Sequence, residues 1–203
     1  MLLADIGNTR IHIYDGETVV HLSHDDAIAQ YGDQTVKYIT VKHQLKERLR
    51  RLENWEDISS LIKIENEYAT MGIDRKALCL SHKNGIFVSA GSAITVDVVE
   101  EGVYQGGFLL PGFKAYIEAY ASISPALATE LNVQVSLSAL PTSTQDSISF
   151  GIISSVKALI EKYQGERQLY ISGGDGRWLS SLFKNAIFDE TLIFLGMRSV
   201  LSR

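Results

Sequence analysis

The sequence predicts an α/β protein of two similar halves, and three observations carry that reading. Short apolar runs of strand length alternate with segments of helical period. The chain opens on a strand, a small polar turn and a second strand, and a partial echo of that unit recurs near residue 90. Two such units imply halves that face each other across a cleft, where nucleotides are often held.

In the opening unit, Leu2, Leu3 and Ala4 lead into Asp5-Ile6-Gly7-Asn8-Thr9. Ile11 and Ile13 then alternate with Arg10, His12 and Tyr14 before an Asp15-Gly16 turn, the pattern of a half-buried strand. A glycine between two strands lets the backbone approach a ligand, and Asn8 and Thr9 can donate to phosphate oxygens. Asp5 would then stand near a nucleotide-bound magnesium ion. The same residues also read as an ordinary hairpin turn. In the echo, Ile86-Phe87-Val88 leads into Ser89-Ala90-Gly91-Ser92-Ala93, and Ile94 to Val99 runs on to a Glu101-Gly102 turn. Ser89 falls where Asp5 stood, and Ser92 where Asn8 stood.

Between the two units, Glu17 to Leu22 supplies a third strand, and Asp25 to Tyr31 a helix capped by Ser23 or Asp25. Val36 to Val41 reads as a strand and Lys42 to Leu52 as a charged helix, with Leu45, Leu49 and Leu52 on one face. Ile58 to Ile64 reads as a further strand after a turn at Asn54 to Asp57. Gly72-Ile73-Asp74-Arg75 opens a helix through Ser81. Its acid can cap the first turn, or it can orient a substrate hydroxyl while Arg75 clamps an anion.

After the echo, Val103 to Leu110 is a strand broken by Gly106-Gly107 and ended by Pro111-Gly112. Helices follow at Phe113 to Ile123, Pro125 to Leu131 and Asp146 to Tyr163. Gln168 to Ile171 is a buried strand running into Ser172-Gly173-Gly174, with helices at Trp178 to Phe183 and Thr191 to Leu201 behind it. His21 and His24 have a spacing that can serve a metal, yet no further cysteine or histidine lies near them in sequence.

Composition narrows the function classes. The 203 residues are 45% hydrophobic, enough to bury a sizeable core. The net charge of −5 offers no broad field for nucleic acid or anionic membrane, so neither is expected as a partner. No apolar run approaches the ~20 residues of a membrane helix, and the N-terminus reads directly as a strand; a cytoplasmic protein is expected. The single cysteine, Cys79, excludes an internal disulfide and reads as a core residue.

Six motifs in order resemble those of the type III pantothenate kinases: Asp5 to Thr9, Gly72 to Arg75, Ala90 to Asp97, Gly106 to Gly112, Thr144 ahead of Gly151, and Ser172-Gly173-Gly174. The resemblance spans nearly the whole chain. It implies two ribonuclease-H-like lobes of the actin and sugar-kinase superfamily flanking a nucleotide cleft, with residues 1–84 in one lobe and 85–203 in the other. It further implies a homodimer that transfers phosphate from ATP with Mg2+ to pantothenate, the first step of coenzyme A synthesis.

Carried over by position, Asp5, Ile6, Gly7, Asn8, Thr9, Arg10, Ile11 and His12 match the first phosphate-binding segment, with Asp5 acting indirectly on magnesium. Asp74 matches the catalytic base, Gly72, Ile73, Asp74 and Arg75 the pantothenate segment, Ser92 an ATP contact and Thr144 a substrate contact. Two positions depart from the family. Ser89 stands where an aspartate usually binds a monovalent cation such as potassium or ammonium, which puts that requirement in question. Glu65 stands where a substrate-contacting aromatic is usual, with Tyr68 nearby as its replacement. Two other readings stay open: a kinase of another small alcohol, and a nucleotide-dependent regulator without catalysis.

Overall fold

The computed structural model describes residues 1–202. It contains two five-stranded mixed sheets. The first is formed by β1 (Leu2–Ile6), β2 (Ile11–Tyr14), β3 (Val19–Leu22), β4 (Val36–Thr40) and β5 (Trp55–Asp57). The second is formed by β6 (Gly85–Ala90), β7 (Ala93–Glu100), β8 (Val103–Pro111), β9 (Leu169–Ser172) and β10 (Ala186–Phe188). The strand orders are β3-β2-β1-β4-β5 and β8-β7-β6-β9-β10. Each sheet is thus built as 3-2-1-4-5 in its own count, so the echo in sequence extends to a whole repeated sheet. In the first sheet β1 pairs antiparallel with β2 and parallel with β4; in the second β6 pairs parallel with β9, and β9 with β10.

The chain divides into two compact units. The first comprises Met1–Asn84, the short stretch Val99–Gln105 and the C-terminal segment from Asp189; the second comprises Gly85–Val98 and Gly106–Phe188. In the first unit, β1 is central, and four of its five residues are buried. One face of the sheet packs Ala4, Ile6, Ile11 and Ile13 against Ala27 of α1 (His24–Tyr31) and Leu49 of α2 (Lys46–Leu49). The other packs Leu3, Tyr14 and Ile39 against Ala77 of α3 (Ile73–Cys79) and against Phe194 and Met197 of α7 (Leu192–Leu201). In the second unit, Ile86, Val88, Ile94 and Val96 pack against Phe113 of α4 (Phe113–Ile123) and against Ile152, Val156 and Ile160 of α5 (Thr144–Gln164). Leu179 of the short α6 (Gly176–Ser180) completes that core.

Several expected elements change form. Ile58 to Ile64 is not a strand; the fifth strand is Trp55–Asp57, expected as a turn, and Ser59–Leu61 makes a 3₁₀ turn. Ile58 and Ile62 both enter the α3/α7 core, a four-residue spacing that suits one face of a strand as well as a helical turn, so spacing did not separate the two forms. The helix expected over Lys42 to Leu52 shrinks to a 3₁₀ turn at His43–Leu45 and the single turn of α2. Leu45, Leu49 and Leu52 nonetheless gather on one core. Pro125 to Leu131 contracts to a 3₁₀ turn at Pro125–Leu127, and β10 adds a strand too short for its pattern to stand out. Ser23 is the cap of α1, its hydroxyl accepting from the Asp26 N–H at 3.1 Å. Cys79 is buried and forms no disulfide.

Helices α3 and α7 meet backbone to backbone. A Cβ placed on Gly196 would lie 1.7 Å from the Ala77 carbonyl oxygen, so only glycine permits this approach. Alanine is ordinarily favoured over glycine in a helix by about 1 kcal/mol. Here the overlap should reverse the sign, and Gly196→Ala should destabilise the protein by about 1–3 kcal/mol. Urea unfolding midpoints measure this, and an unchanged or raised midpoint would show that the helices can part without cost.

Candidate functional site

In the first unit the hairpin of β1 and β2 closes at Gly7 to Arg10, where the Gly7 N–H donates to the Arg10 carbonyl at 3.0 Å. Asn8 and Thr9 form its exposed tip. Two residues from distant parts of the chain hold this turn. His24 Nε2 donates to the Gly7 carbonyl at 3.0 Å, and Lys42 Nζ donates to the Asn8 carbonyl at 2.6 Å. The turn's carbonyls are therefore taken up internally, while the backbone N–H groups of Asn8, Thr9 and Arg10 find no acceptor among the described residues. Such a turn is a donor surface suited to an anion. Ile6 and Ile11 bury their side chains in the core and can offer a ligand only backbone. His12 reaches across the sheet to His21 of β3.

Asp5, at the end of β1, is 7% exposed, and its Oδ1 has no hydrogen-bond partner. Burial, and then the neighbouring carboxylate of Asp74, push its pKa from 3.8 up to about 7. The Asp74 carboxyl is itself raised by burial, opposed by the Arg75 backbone N–H, which donates to Oδ1 at 2.9 Å. A Cβ on Gly72 would lie 2.5 Å from that Oδ1, so glycine at the start of α3 leaves room for the carboxylate to fold back. Two acids are thereby brought together, with the Arg75 charge acting on Asp74 alone of the two, an arrangement that favours a bound cation.

Arg75 is 5% exposed and its guanidinium is fixed by two phenols: Nη1 donates to Tyr68 at 2.5 Å and Nη2 to Tyr104 at 3.2 Å. Tyr68 sits on a loop tied to α3 by the Glu67–Lys76 ion pair at 2.7 Å. The same loop is tied to β8, where the Tyr104 N–H donates to the Glu65 carbonyl at 2.9 Å and Asn66 Nδ2 donates to the Tyr104 carbonyl at 2.8 Å. Tyr68 is thus one of two phenols that meet Arg75, while Glu65 enters the contact through its backbone. Tyr104, His24 and Lys42 carry no local motif and become visible only once strands and loops are placed.

In the second unit, three glycine-containing stretches read separately along the chain converge on the end of β6. The Gly112 N–H donates to the Ser92 carbonyl at 3.2 Å, and a Cβ on Gly112 would lie 2.2 Å from the Gly91 carbonyl oxygen. From the end of β9, Gly173, at φ +93°, approaches the Ala90 carbonyl, which also accepts from the Asp175 N–H at 3.0 Å. The Gly91-Ser92 turn is therefore held from both sides, with Ser92 exposed. Ser89 is half-buried and lies beside Ser172 of β9 in register. Thr144, the first residue of α5, borders an open depression of about 590 Å³ shared with Tyr120, Leu127 and Ser147. Asn132 fastens the loop before α5 to that helix, Nδ2 donating to Asp146 at 2.7 Å and its backbone N–H donating to the Ser149 hydroxyl at 2.8 Å.

The raised pKa of Asp5 sets the sign of a pH dependence. The folded state holds this proton more tightly than the unfolded chain, so its contribution is fullest near or below pH 3.8 and is lost as pH rises towards about 7. Asp5→Asn lacks that loss, so its stability advantage over the wild type should grow between about pH 5 and about pH 8, reaching at least about 1 kcal/mol. His12, lowered to about 4, changes stability in the opposite sense and acts in both proteins alike. Urea unfolding of the two ligand-free proteins tests this, and a pH-independent difference would remove the strained carboxylate.

Comparison with known proteins identifies the family. A family model described as type III pantothenate kinase matches residues 53–165. A type III pantothenate kinase of Campylobacter jejuni is 38% identical over 201 residues, covering 99% of this chain and 96% of the relative. Among solved structures, a C. jejuni protein assigned provisionally to the Baf family of transcriptional activators superposes with a TM-score of 0.90 at 37% identity, covering 100% of this chain and 98% of the other. A Sinorhizobium meliloti protein described as a candidate 2-dehydro-3-deoxygalactonokinase, at 11% identity, TM-score 0.51 and coverage of 98% and 97%, shares the fold. With its paired 3-2-1-4-5 sheets and full-length similarity to these relatives, the chain belongs to the type III pantothenate kinase family.

Proposed function

We propose that this protein phosphorylates pantothenate from ATP, with Asp74 as the general base. The observation that carries the assignment of roles is the grouping of buried Asp5 and Arg75 with half-buried Asp74, and with the exposed Tyr68 on the Arg75 guanidinium. Phosphoryl transfer passes through a loose transition state, so the protein's task is to position the groups and stabilise charge. The free N–H groups of Asn8, Thr9 and Arg10 suit phosphate oxygens, and Ser92 keeps a hydroxyl donor at the family's second ATP contact.

The orphaned, buried Oδ1 of Asp5 fits a role towards magnesium, either directly or through the ion's water shell. Magnesium bound with ATP would neutralise phosphate charge. Asp74 aligns the primary alcohol of pantothenate and accepts its proton late, because an alcohol is far too weak an acid to be ionised beforehand. Its raised pKa makes it a better acceptor than an exposed aspartate. Arg75, fixed by its two phenols, suits the pantothenate carboxylate. Thr144 is the substrate contact assigned by position in the second unit. Ser89 supplies a hydroxyl and no charge, which does not fit a selective site for potassium or ammonium. A homodimer in the cytoplasm completes the reading.

The test is transfer of labelled phosphate from ATP to pantothenate. Asp74→Asn should keep the fold and ATP binding but lower turnover by about 10²–10⁴-fold. Tyr68→Phe should raise KM for pantothenate about 5-fold, corresponding to one hydrogen bond of about 1 kcal/mol, and leave KM for ATP unchanged. Rates in potassium and sodium buffers should be equal. Folded protein that binds ATP but transfers nothing to pantothenate would overturn the assignment in favour of another alcohol.

A further inference from the structure

Sequence spacing pairs His21 with His24, but the fold separates their roles: His24 donates to the Gly7 carbonyl, and His21 meets His12. His12 and His21 are direct partners across β2 and β3, so their side chains leave the sheet on the same face. Their Nδ1 atoms lie 2.6 Å apart and the rings meet edge to face, with centroids 4.8 Å apart. Neither two lone pairs nor two protons fit in that gap, so a single proton is shared. On its far side, His21 Nε2 lies 3.3 Å from Glu190 Oε2. A neutral His21 that donates Nε2–H to this carboxylate turns its Nδ1 lone pair towards His12. That carboxylate–imidazole arrangement is the one that orients metal-ligating histidines. His12 then carries the shared proton on Nδ1, and an ion bound at that atom requires the proton to move to Nε2 of the same ring.

We propose that His12 Nδ1 and His21 Nδ1 form a two-imidazole site for a divalent transition ion of the zinc class, the ion taking the place of the shared proton. Zinc–nitrogen bonds of about 2.0–2.1 Å at a tetrahedral angle require nitrogens about 3.3 Å apart, so the rings must separate by less than about 1 Å. His21 is exposed and can rotate to supply this. Among the described residues no group of three or more histidine, cysteine or acidic side chains converges on one point. Water therefore completes the coordination, and the site is an open one, weaker than a closed structural centre. It differs in chemistry from the magnesium role proposed for Asp5, since imidazole nitrogen suits zinc, copper and nickel while magnesium prefers oxygen. Asp5 is the partner of His12 on β1, so an ion here would stand one strand from the acidic pair.

Isothermal titration of the full chain, free of any histidine tag, with zinc chloride tests the site. One saturable equivalent is expected, unaffected by millimolar magnesium. His21→Gln should abolish it, Glu190→Gln should weaken it by about 10-fold as loss of a backing carboxylate does, and His82→Gln should leave it unchanged. No saturable zinc binding by the wild type, binding that survives His21→Gln, or binding displaced by magnesium would overturn the proposal. Circular dichroism of each variant verifies that a lost signal does not come from lost fold.

Discussion

The first unit is organised around a carboxylate that the fold buries without neutralising. Asp5 ends the central strand of the sheet, its Oδ1 meets no donor, and the nearest acid, Asp74, makes its ionisation harder still. Burying an unpaired charge is costly, so the arrangement stands only because the surrounding core over-determines it. That core is the layer of α3 and α7 on Leu3, Tyr14 and Ile39. The stacking of Tyr14 on Phe194, with centroids 5.1 Å apart, and the contact of Gly196 with Ala77 hold α3 over the strand that carries Asp5. Stability given up at the acids is the usual signature of a site whose ligand supplies the missing charge.

The loops around these acids are held by side chains from distant parts of the chain. His24 and Lys42 take the carbonyls of the Gly7 to Arg10 turn, leaving its amides as donors. Tyr104 and Tyr68 clamp Arg75, and Glu67 ties the Tyr68 loop to α3. The second unit solves the same problem with backbone: Gly112 and Gly173 approach the Gly91-Ser92 turn and Ala90 more closely than any larger residue could. Side-chain anchors in one unit and glycine contacts in the other are two physical routes to a rigid donor turn. The common 3-2-1-4-5 sheet puts each turn at the end of its central strand.

Belonging to the family and carrying its motifs leaves room for departures. Ser89 brings no charge to its position on β6, and Tyr68 meets Arg75 although the resemblance places the expected aromatic three residues earlier. Loop geometry explains the second: Asn66, at φ +66°, and the pairing of Glu65 with Val103 turn the chain so that Tyr68 returns to α3.

Much of this was determined by the sequence alone. Alternation at Ile11 and Ile13, the apolar runs before Asp5 and Ser89, and the small polar turns after them identified the central hairpin of each unit, because strand period and turn chemistry are local properties. The Gly72-Ile73-Asp74-Arg75 stretch likewise marked a helix start. Tertiary structure decided what local pattern could not. Ile58 and Ile62 read as a strand until the α3/α7 core claimed both on one side of a turn. Residues as distant in sequence as His24, Lys42 and Tyr104 acquired roles only when the sheets brought them to the loops. The pairing of His12 with His21, and not of His21 with His24, followed from cross-strand register. Register depends on which faces are buried, a property of the packed sheet that no short stretch of sequence contains.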